Sequence, residues 1–364
     1  MNKITIVAGA RPNFMKIAPV IKALQNPEIN KRGIRFRLVH TGQHYDRKMS
    51  GLFFEELGIP DPDVNLGAGG GTQAEQTAAI MVGFEKELMV NRPDLVLVFG
   101  DVTSTLACSI VAKKLCVKVA HVEAGIRSGD VTMPEEINRM VTDSISDYFF
   151  TTSEVANKNL RNLGVSNDRI FFVGNVMIDT LLQNRSRFVR PTCFDEFELE
   201  PENYFVLTLH RPANVDEESK LKKLMDTIVE ESRGLPILFP VHPRTRKHLE
   251  NLQITAPNLC YTDPLGYLEF NYLVENCKAV VTDSGGITEE TTVMGVPCMT
   301  LRDNTERPET VTVGTNELIG TKPEAIPPTM RILFSGEWKK GHAPELWDGH
   351  AAERIIGILS KTGF

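Results

Sequence analysis

The sequence has little of what marks several common protein classes. Its six cysteines include no CxxC pair and no zinc-like spacing with a histidine. Most of them stand within apolar segments, which favours buried, reduced thiols in a cytoplasmic protein. No cluster of metal-binding side chains is visible, so we predict that no metal ion is bound and that activity survives a chelator.

Long apolar runs and an excess of positive charge are also missing. No segment reaches the length of a membrane span, and the apolar run at the N-terminus is too short for a signal peptide. The formal net charge of −7 leaves no broad basic surface for nucleic acid. We therefore expect no membrane and no nucleic-acid partner, whereas single arginines can still hold a small anion.

What is present is a regular alternation of short apolar runs and helical patterns. Residues 95–99 and 118–122 are typical of strands, and residues 104–114 and 135–145 are typical of helices. Continuous apolar runs of this length indicate parallel strands that are buried on both faces. With 364 residues, 41% of them hydrophobic, the chain is long enough for two domains.

The alternation is interrupted near residues 185–203, which are rich in Arg, Pro and Glu and lack periodicity. We therefore predict an α/β fold of two Rossmann-like domains, residues 1–185 and 186–344, with parallel sheets that face a central cleft. A closing helix within residues 345–364 is expected to pack back onto the first domain.

Three acidic residues of the first domain stand where ligands bind in open α/β sheets, near the carboxyl ends of strands. Asp101 follows the strand at 95–99, Glu123 follows the strand at 118–122, and Glu135 begins a helix shortly after. Burial can tune such carboxyl groups for proton transfer. The simpler alternatives are a helix cap for Asp101, a favourable helix dipole for Glu135, and an ion pair with Arg127 for Glu123.

A candidate phosphate site lies in the second domain. Ser284, Gly285 and Gly286 join a predicted strand to a helix, so their N–H groups would be exposed at a helix N-terminus. Glu290, about one turn into that helix, could accept hydrogen bonds from ribose hydroxyls. The alternative is an ordinary helix start with glycines that serve close packing.

Basic residues at other strand ends could also reach an anion. The turn after the first strand contains Arg11 and Lys16 but lacks the second and third glycines of the dinucleotide fingerprint, so we predict no nicotinamide cofactor. His210 and His242 each follow an apolar strand of the second domain. Each can bond a diphosphate or merely satisfy nearby backbone groups.

In this order and at these spacings, the motifs resemble the bacterial non-hydrolysing UDP-N-acetylglucosamine 2-epimerase family, which has the GT-B fold. The resemblance covers nearly the whole chain. Its carriers are Gly9-Ala10-Arg11-Pro12, His40-Thr41-Gly42-Gln43-His44, Gly100-Asp101, His121-Val122-Glu123-Ala124-Gly125, Pro134-Glu135-Glu136-Ile137-Asn138-Arg139, His210-Arg211, Asp283-Ser284-Gly285-Gly286 and Thr305-Glu306-Arg307-Pro308-Glu309.

The resemblance implies roles for individual positions. It makes Asp101, Glu123 and Glu135 the acid/base groups and places His210 near the departing diphosphate. The implied substrate contacts are Ser284, Gly285, Gly286 and Glu290 for the diphosphate and ribose, Phe270 for the uracil, and Arg11, Lys16 and Arg307 as basic contacts. A second, regulatory UDP-sugar site is matched by Gln43, Glu136, Arg211 and His242. His242 is also one of the implied substrate contacts. A homodimer that supplies precursors of surface polysaccharide is implied as well.

The chain departs from the best-known members in three segments. It has His44-Tyr45-Asp46-Arg47 where those members have arginine and glutamate after the histidine, no basic residue in residues 68–73, and Pro212-Ala213-Asn214 after His210-Arg211. These segments line the sugar side and, in some relatives, the regulatory site. The identity of the sugar and the presence of allosteric control are therefore open.

The chemistry of C2 inversion fits the residues. Oxidation of the sugar would need a nicotinamide, whereas elimination of UDP to a glycal, followed by re-addition, needs proton-transfer groups and a diphosphate cradle. We expect interconversion of UDP-GlcNAc and UDP-ManNAc without assigning base and acid individually. The alternatives are a modified UDP-sugar of the diacetamido uronic acid or N-acetylfucosamine type, a hydrolysing epimerase, a GT-B glycosyltransferase, and a catalytically silent nucleotide-sugar sensor.

Overall fold

The computed structural model describes residues 2–43, 53–241 and 243–364, without the side chains of residues 11, 243, 244 and 250. His242 and the segment 44–47 singled out above lie outside these residues. The chain divides into two compact units, one made of Met1–Gln183 with Glu345–Phe364 and the other of Asn184–Pro344.

The first unit is built on a seven-stranded parallel sheet of order β3-β2-β1-β4-β5-β6-β7. Its strands are β1 Lys3–Ala8, β2 Arg35–His40, β3 Val64–Asn65, β4 Leu95–Phe99, β5 Lys118–Val122, β6 Tyr148–Thr151 and β7 Ile170–Phe172. The helices whose bounds are defined in this part of the chain are α1 Arg11–Gln25, α2 Gln73–Val90, α3 Thr103–Lys114, α4 Pro134–Ile145, α5 Glu154–Asn162 and α6 Val176–Asn184.

The second unit repeats the plan with a six-stranded parallel sheet of order β10-β9-β8-β11-β12-β13. Its strands are β8 Phe205–Thr208, β9 Ile237–Pro240, β10 Leu259–Thr262, β11 Ala279–Thr282, β12 Cys298–Thr300 and β13 Asn316–Leu318. Its helices are α7 Thr192–Glu196, α8 Pro212–Val215, α9 Glu218–Glu231, α10 Pro243–Leu252, α11 Tyr267–Asn276, α12 Gly285–Met294, α13 Pro308–Thr312 and α14 Ile326–Phe334.

Both sheets have the strand order of doubly wound folds, with a switch point where the order reverses. In the first unit β4 pairs with β1 on one side and β5 on the other, and all five of its residues are buried. In the second unit β8 and β11 are neighbours. In the first unit, the side chains that follow β1 and β4 therefore lie close together at the carboxyl edge of the sheet, where such sheets bind ligands. The same holds within the second unit for the side chains that follow β8 and β11. The predicted α/β, Rossmann-like fold class is confirmed.

The closing helix α15, Ala351–Thr362, belongs to the first unit and contacts α1. Asp179 lies under its N-terminus and accepts hydrogen bonds from the N–H groups of Ala351 and Ala352, at 3.0 and 2.7 Å. The buried Trp347 indole donates to the Thr152 carbonyl at 2.9 Å. These bonds attach the end of the chain to the first unit.

Two observations complete the fold. The short strands β3 and β13 were not predicted, because two or three residues that include polar ones produce neither an apolar run nor a periodic pattern. Among the described residues, no helix combines the length and the apolar character that crossing a membrane requires.

Candidate active site

The first group of candidate residues surrounds the ends of β4 and β5. Gly100 and Glu123 both have positive φ angles, +62° and +70°. For a non-glycine residue this conformation costs roughly 1–2 kcal/mol. The N–H groups of Glu123 and Ala124 both donate to the Phe150 carbonyl, at 2.9 and 3.1 Å, and so hold the turn in place.

Glu123 is paired with a lysine of α1. The Lys16 Nζ lies 2.6 Å from Glu123 Oε2, and the two side chains are only 12% and 3% exposed. A buried carboxylate is costly without such a partner. Gly100 lies against both groups, because a Cβ there would be 2.8 Å from Lys16 Nζ and 3.6 Å from Glu123 Oε2. The structure therefore brings Lys16, Gly100 and Glu123 together.

The inner face of α4 holds Asp101. Asn138 Nδ2 donates to the Asp101 carbonyl at 2.8 Å, and Arg139 Nη1 lies 2.5 Å from Asp101 Oδ2. The Arg139 side chain is 2% exposed, whereas that of Asp101 is 30% exposed. The carboxylate of Asp101 thus remains partly accessible while its backbone and one oxygen are fixed.

Glu136 and Glu135 differ sharply although they are neighbours on α4. Glu136 is buried and accepts hydrogen bonds from the N–H groups of Ser128 and Gly129 and from Arg139. Burial opposes ionisation, but these donors outweigh it and lower the pKa of Glu136. Glu135 is exposed in the first helical turn. No hydrogen bond or ion pair of its side chain is present among the described residues.

In the second unit, His210 is oriented by an aspartate. His210 Nδ1 lies 2.9 Å from Asp283 Oδ1. Asp283 is fully buried and also accepts from the N–H groups of His210 and Arg211 and from Asn214 Nδ2. Although burial opposes it, the His210 ring and these donors lower the pKa of Asp283. The contact turns the other ring nitrogen, Nε2, away from Asp283.

The N-terminus of α12 lies among charged side chains. A Cβ on Gly285 would be 2.9 Å from Glu306 Oε1 and 3.5 Å from Arg302 Nη1. Glu306 bonds Arg302, and Arg211 Nη2 is 3.9 Å from Glu306 Oε1. Burial works against ionisation, but the two guanidinium groups bring the pKa of Glu306 to about 2. Two cations and a helix N-terminus favour an anion here.

Glu290 is buried in α12 beside an aromatic hydroxyl. Tyr267 Oη donates to Glu290 Oε1 at 3.0 Å. Burial raises the pKa of Glu290 to about 7, helped by the charge of Glu289 and opposed by the Tyr267 bond. Glu289 pairs with the buried Arg307, whose Nε is 2.6 Å from Glu289 Oε1. Phe270, on the same helix as Tyr267, is partly buried.

The positions matched to a regulatory site are divided between the units. Gln43 accepts a hydrogen bond from Ser104 Oγ at 2.9 Å in the first unit, where Glu136 also lies. Arg211 belongs to the second unit, and its Nε donates to the Asp283 carbonyl at 2.9 Å. The side chain of Arg11 and the whole of His242 lie outside the described residues. A regulatory role for this set stays a prediction.

The structure adds partners that sequence reasoning did not select. Asp283 orients His210, and Arg139 with Asn138 holds Asp101. For Arg139 a signal existed, because Glu136 and Arg139 are three residues apart and such residues share a helix face. For Asp283 the signal was weaker, since its contact with His210 depends on the pairing of β8 with β11. Within the described chain, no group of three metal-binding side chains could hold an ion.

The chain has two doubly wound parallel units, and each carries charged side chains at the ends of its switch-point strands. This is the plan of GT-B-like α/β enzymes that act on nucleotide-linked substrates. Residues 27–360 match the family model described as UDP-N-acetylglucosamine 2-epimerase. The chain belongs to this family, whose members are isomerases. The predicted family and enzyme class are confirmed.

Individual relatives are similar over nearly their full length. The UDP-N-acetylglucosamine 2-epimerase of Methanocaldococcus jannaschii is 42% identical over 98% of this chain and 99% of the relative. The UDP-2,3-diacetamido-2,3-dideoxy-D-glucuronate 2-epimerase of Pseudomonas aeruginosa is 39% identical over 99% of both. The crystal structure of the M. jannaschii enzyme in complex with UDP-GlcNAc and UDP matches with a TM-score of 0.88 at 41% identity, over 99% of both chains.

Proposed function

We propose that the protein interconverts UDP-GlcNAc and UDP-ManNAc by eliminating UDP to a 2-acetamidoglucal and adding it back. The observation that carries the proposal is the meeting of Lys16, Gly100 and Glu123 at the β4 and β5 ends, with Asp101 next in the chain. The resemblance to an epimerase bound to UDP-GlcNAc supports the choice of substrate.

The reaction needs groups that can move a proton at C2. One ionised carboxylate removes the C2 proton while the C1–O bond breaks and UDP leaves, which creates the C1–C2 double bond. In the reverse sense a protonated group delivers a proton to the opposite face of C2 as the diphosphate oxygen attacks C1. We propose Asp101, Glu123 and Glu135 as this set, because inversion requires groups on two faces.

The second unit supplies the groups that stabilise the leaving diphosphate. Its charge would be met by the N–H groups of Ser284, Gly285 and Gly286, by the outer nitrogen of His210, and by basic side chains. Glu290 would accept the ribose hydroxyls. The remaining proposed UDP-sugar contacts are Phe270 for the uracil and Arg11, Lys16, His242 and Arg307 as basic groups.

A modified sugar is the second candidate substrate. It is favoured by the relative that acts on a diacetamido glucuronate and covers 99% of this chain at 39% identity. The departure at Pro212–Asn214, however, is a weaker argument for a modified sugar than the sequence indicated. Asn214, within the Pro212–Asn214 departure, is 1% exposed and bonds Asp283 and the Leu301 carbonyl. Its amide stabilises the second unit rather than facing a sugar.

The test is a panel of UDP-sugars with variants of the carboxylates. We expect the highest kcat/KM with UDP-GlcNAc, and a loss of about 100-fold in Asp101→Asn and Glu123→Gln. Glu154→Gln is the matched control, since the Glu154 side chain is exposed and bonds Arg161 and Asn157, neither of which is a proposed site residue. A higher kcat/KM with the diacetamido sugar would move the substrate proposal to that candidate. Free ManNAc with stoichiometric UDP would identify a hydrolysing enzyme.

The proposal also includes a cytoplasmic homodimer that supplies precursors of surface polysaccharide. Four exposed apolar side chains support the dimer: Val82 and Met89 on α2, and Ile137 and Met140 on α4. Helix α3 contacts both α2 and α4, and most of its residues are buried. These exposed apolar residues thus lie on two helices that contact the same third helix, and we propose them as part of the dimer interface.

A further inference from the structure

His121 is a fully buried histidine that no proposed catalytic role includes. It lies inside β5, two residues before Glu123, and its side chain is 0% exposed. Both ring nitrogens have a partner: Nδ1 is 2.7 Å from Asp143 Oδ1, and Nε2 is 2.8 Å from the Gly100 carbonyl oxygen. The histidine therefore bridges α4 and the end of β4.

The two partners determine where the ring carries protons. A carbonyl oxygen can only accept, so Nε2 must donate to Gly100. Asp143 accepts in addition from the Gly125 N–H at 3.0 Å and from Arg127 Nη1 at 2.7 Å. Burial opposes ionisation of Asp143, yet His121 and Arg127 lower its pKa. Asp143 Oδ1 is thus an acceptor facing Nδ1, as the Gly100 carbonyl oxygen is an acceptor facing Nε2.

The same bonds fix the turn that carries Glu123. Asp143, fully buried on α4, joins the His121 ring, the Gly125 N–H and the Arg127 guanidinium at one carboxylate. Gly125 has a φ of +78°, and a Cβ there would lie 2.4 Å from the Ala156 carbonyl oxygen. A side chain has no room at this position, so the turn requires glycine here.

We propose that His121 is a positioning residue, a buried imidazolium that holds the Gly100 carbonyl and thereby directs the Asp101 carboxylate toward the reacting carbon. The inference rests on the proposed function. Two consecutive carbonyl oxygens and the Asp101 side chain each have a donor: Gly100 O has His121, Asp101 O has Asn138, and Asp101 Oδ2 has Arg139. His121 supplies the first of these bonds.

A matched pair of substitutions distinguishes the effects of the two hydrogen bonds that the His121 ring makes. In His121→Gln the amide nitrogen can occupy the place of Nε2 and still donate to Gly100. In His121→Asn the amide nitrogen can occupy the place of Nδ1 and donate only to Asp143. A misplacement of about 1 Å costs roughly 100-fold in rate. We therefore expect kcat to fall about 100-fold in His121→Asn and less than about tenfold in His121→Gln.

Further readouts separate positioning from stability. We expect KM and the UDP dissociation constant to change less than about threefold in both variants, because the bond acts on the transition state. Ser146→Ala is the control, since it removes a buried hydrogen bond of 2.7 Å to the Thr142 carbonyl, at the C-terminal end of α4, and contacts neither His121 nor Gly100 through it. It should lower the melting temperature and leave kcat unchanged. Equal losses of kcat in the two His121 variants, or losses that follow melting temperature in all three, would overturn the proposal.

The protonation state has its own measurement. Proton–nitrogen NMR correlations of protein labelled with ¹⁵N-histidine, with His121→Asn to assign the signal, should show protons on both ring nitrogens of His121. A ring with one proton would overturn the imidazolium. If the wild type turned over no UDP-sugar of the panel, the proposed function would fail and the positioning role with it, while the NMR result would still decide the charge of the ring.

Discussion

At the scale of single residues, three buried carboxylates of the candidate site are each held by a fixed partner. Lys16 pairs with Glu123, His210 with Asp283, and Tyr267 with Glu290. Their proton affinities differ, because the donors around Asp283 lower its pKa despite burial, whereas burial raises the pKa of Glu290 to about 7 against the Tyr267 bond. Carboxyl groups of one sequence can thus serve as fixed anions or as groups that titrate near neutrality.

Asp283→Asn tests the orienting contact. The amide cannot accept four donors as the carboxylate does, so we expect a loss of about 2 kcal/mol in the free energy of unfolding at neutral pH, measured with urea. The lowered folded-state pKa means that this stability is present above the unfolded pKa and disappears as the pH falls through the folded value. Asp226→Asn, at an exposed position of α9, is the control. Equal stability of Asp283→Asn and wild type would contradict the contact.

The raised pKa of Glu290 leads us to expect that UDP binding depends on pH. In the role proposed for Glu290 the carboxylate form accepts ribose hydroxyls, and burial raises its pKa to about 7. Affinity should therefore fall as the pH drops, by about tenfold between about pH 8 and about pH 6. Calorimetric titration with UDP measures the change, and Glu290→Gln corrects for the titration of UDP itself. The same pH dependence in Glu290→Gln and wild type would exclude Glu290 as its source.

The sequence predicted these residues to different degrees. Asp101 and Glu123 follow recognisable strands, so their placement at strand ends could be read from the apolar runs. The partner of Glu123 could not, because Lys16 is 107 residues away and only the pairing of the strands brings the two together. Glu123 was given Arg127 as its alternative partner, whereas in the structure Arg127 pairs with Asp143.

At the scale of elements, α4 shows why periodicity is an incomplete guide. The helix was predicted within one residue of its observed start, yet its buried face is polar. The buried residues are Glu136, Asn138, Arg139, Thr142 and Asp143. A helix usually turns apolar side chains inward. Here the inward groups bond Asp101, His121 and the loop before the helix, so this part of the core is recognised only once its partners are known.

The attachment of α15 gives a prediction at this scale. Burial raises the pKa of Asp179 to about 6, against the opposing effect of the two α15 N–H groups. Ionisation is therefore less favourable in the folded than in the unfolded state. Relative to Asp179→Asn, the wild type should lose up to about 3 kcal/mol of unfolding free energy as the pH rises from about 4 to above about 6. Urea unfolding at both pH values measures it, and a difference independent of pH would contradict the assignment.

At the scale of the whole molecule, the fold was the most predictable feature. Alternating apolar runs and helical patterns sufficed for two parallel-sheet units, because right-handed crossover connections leave few other topologies. Bonds such as that from Trp347 to Thr152, 195 residues apart, carry no sequence signal. The apolar residues on α2 and α4 are visible as an exposed surface only in the structure.

The proposed homodimer is tested by molar mass in solution. Light scattering should give twice the mass of the chain for wild type. Ile137→Glu combined with Met89→Glu should give a monomer, because two charges would have to be buried at the interface. The control is Ile332→Glu, at an exposed apolar position of α14 in the second unit, which should remain dimeric. A monomeric wild type would contradict the dimer.

The most direct test of the epimerase assignment is proton NMR of the protein with UDP-GlcNAc in deuterated water. Removal of the C2 proton and its return from exchangeable groups require that the UDP-ManNAc formed carries deuterium at C2 while UDP stays attached. Formation of the deuterated epimer is the predicted result. An epimer that keeps its C2 proton would contradict proton transfer through Asp101, Glu123 and Glu135.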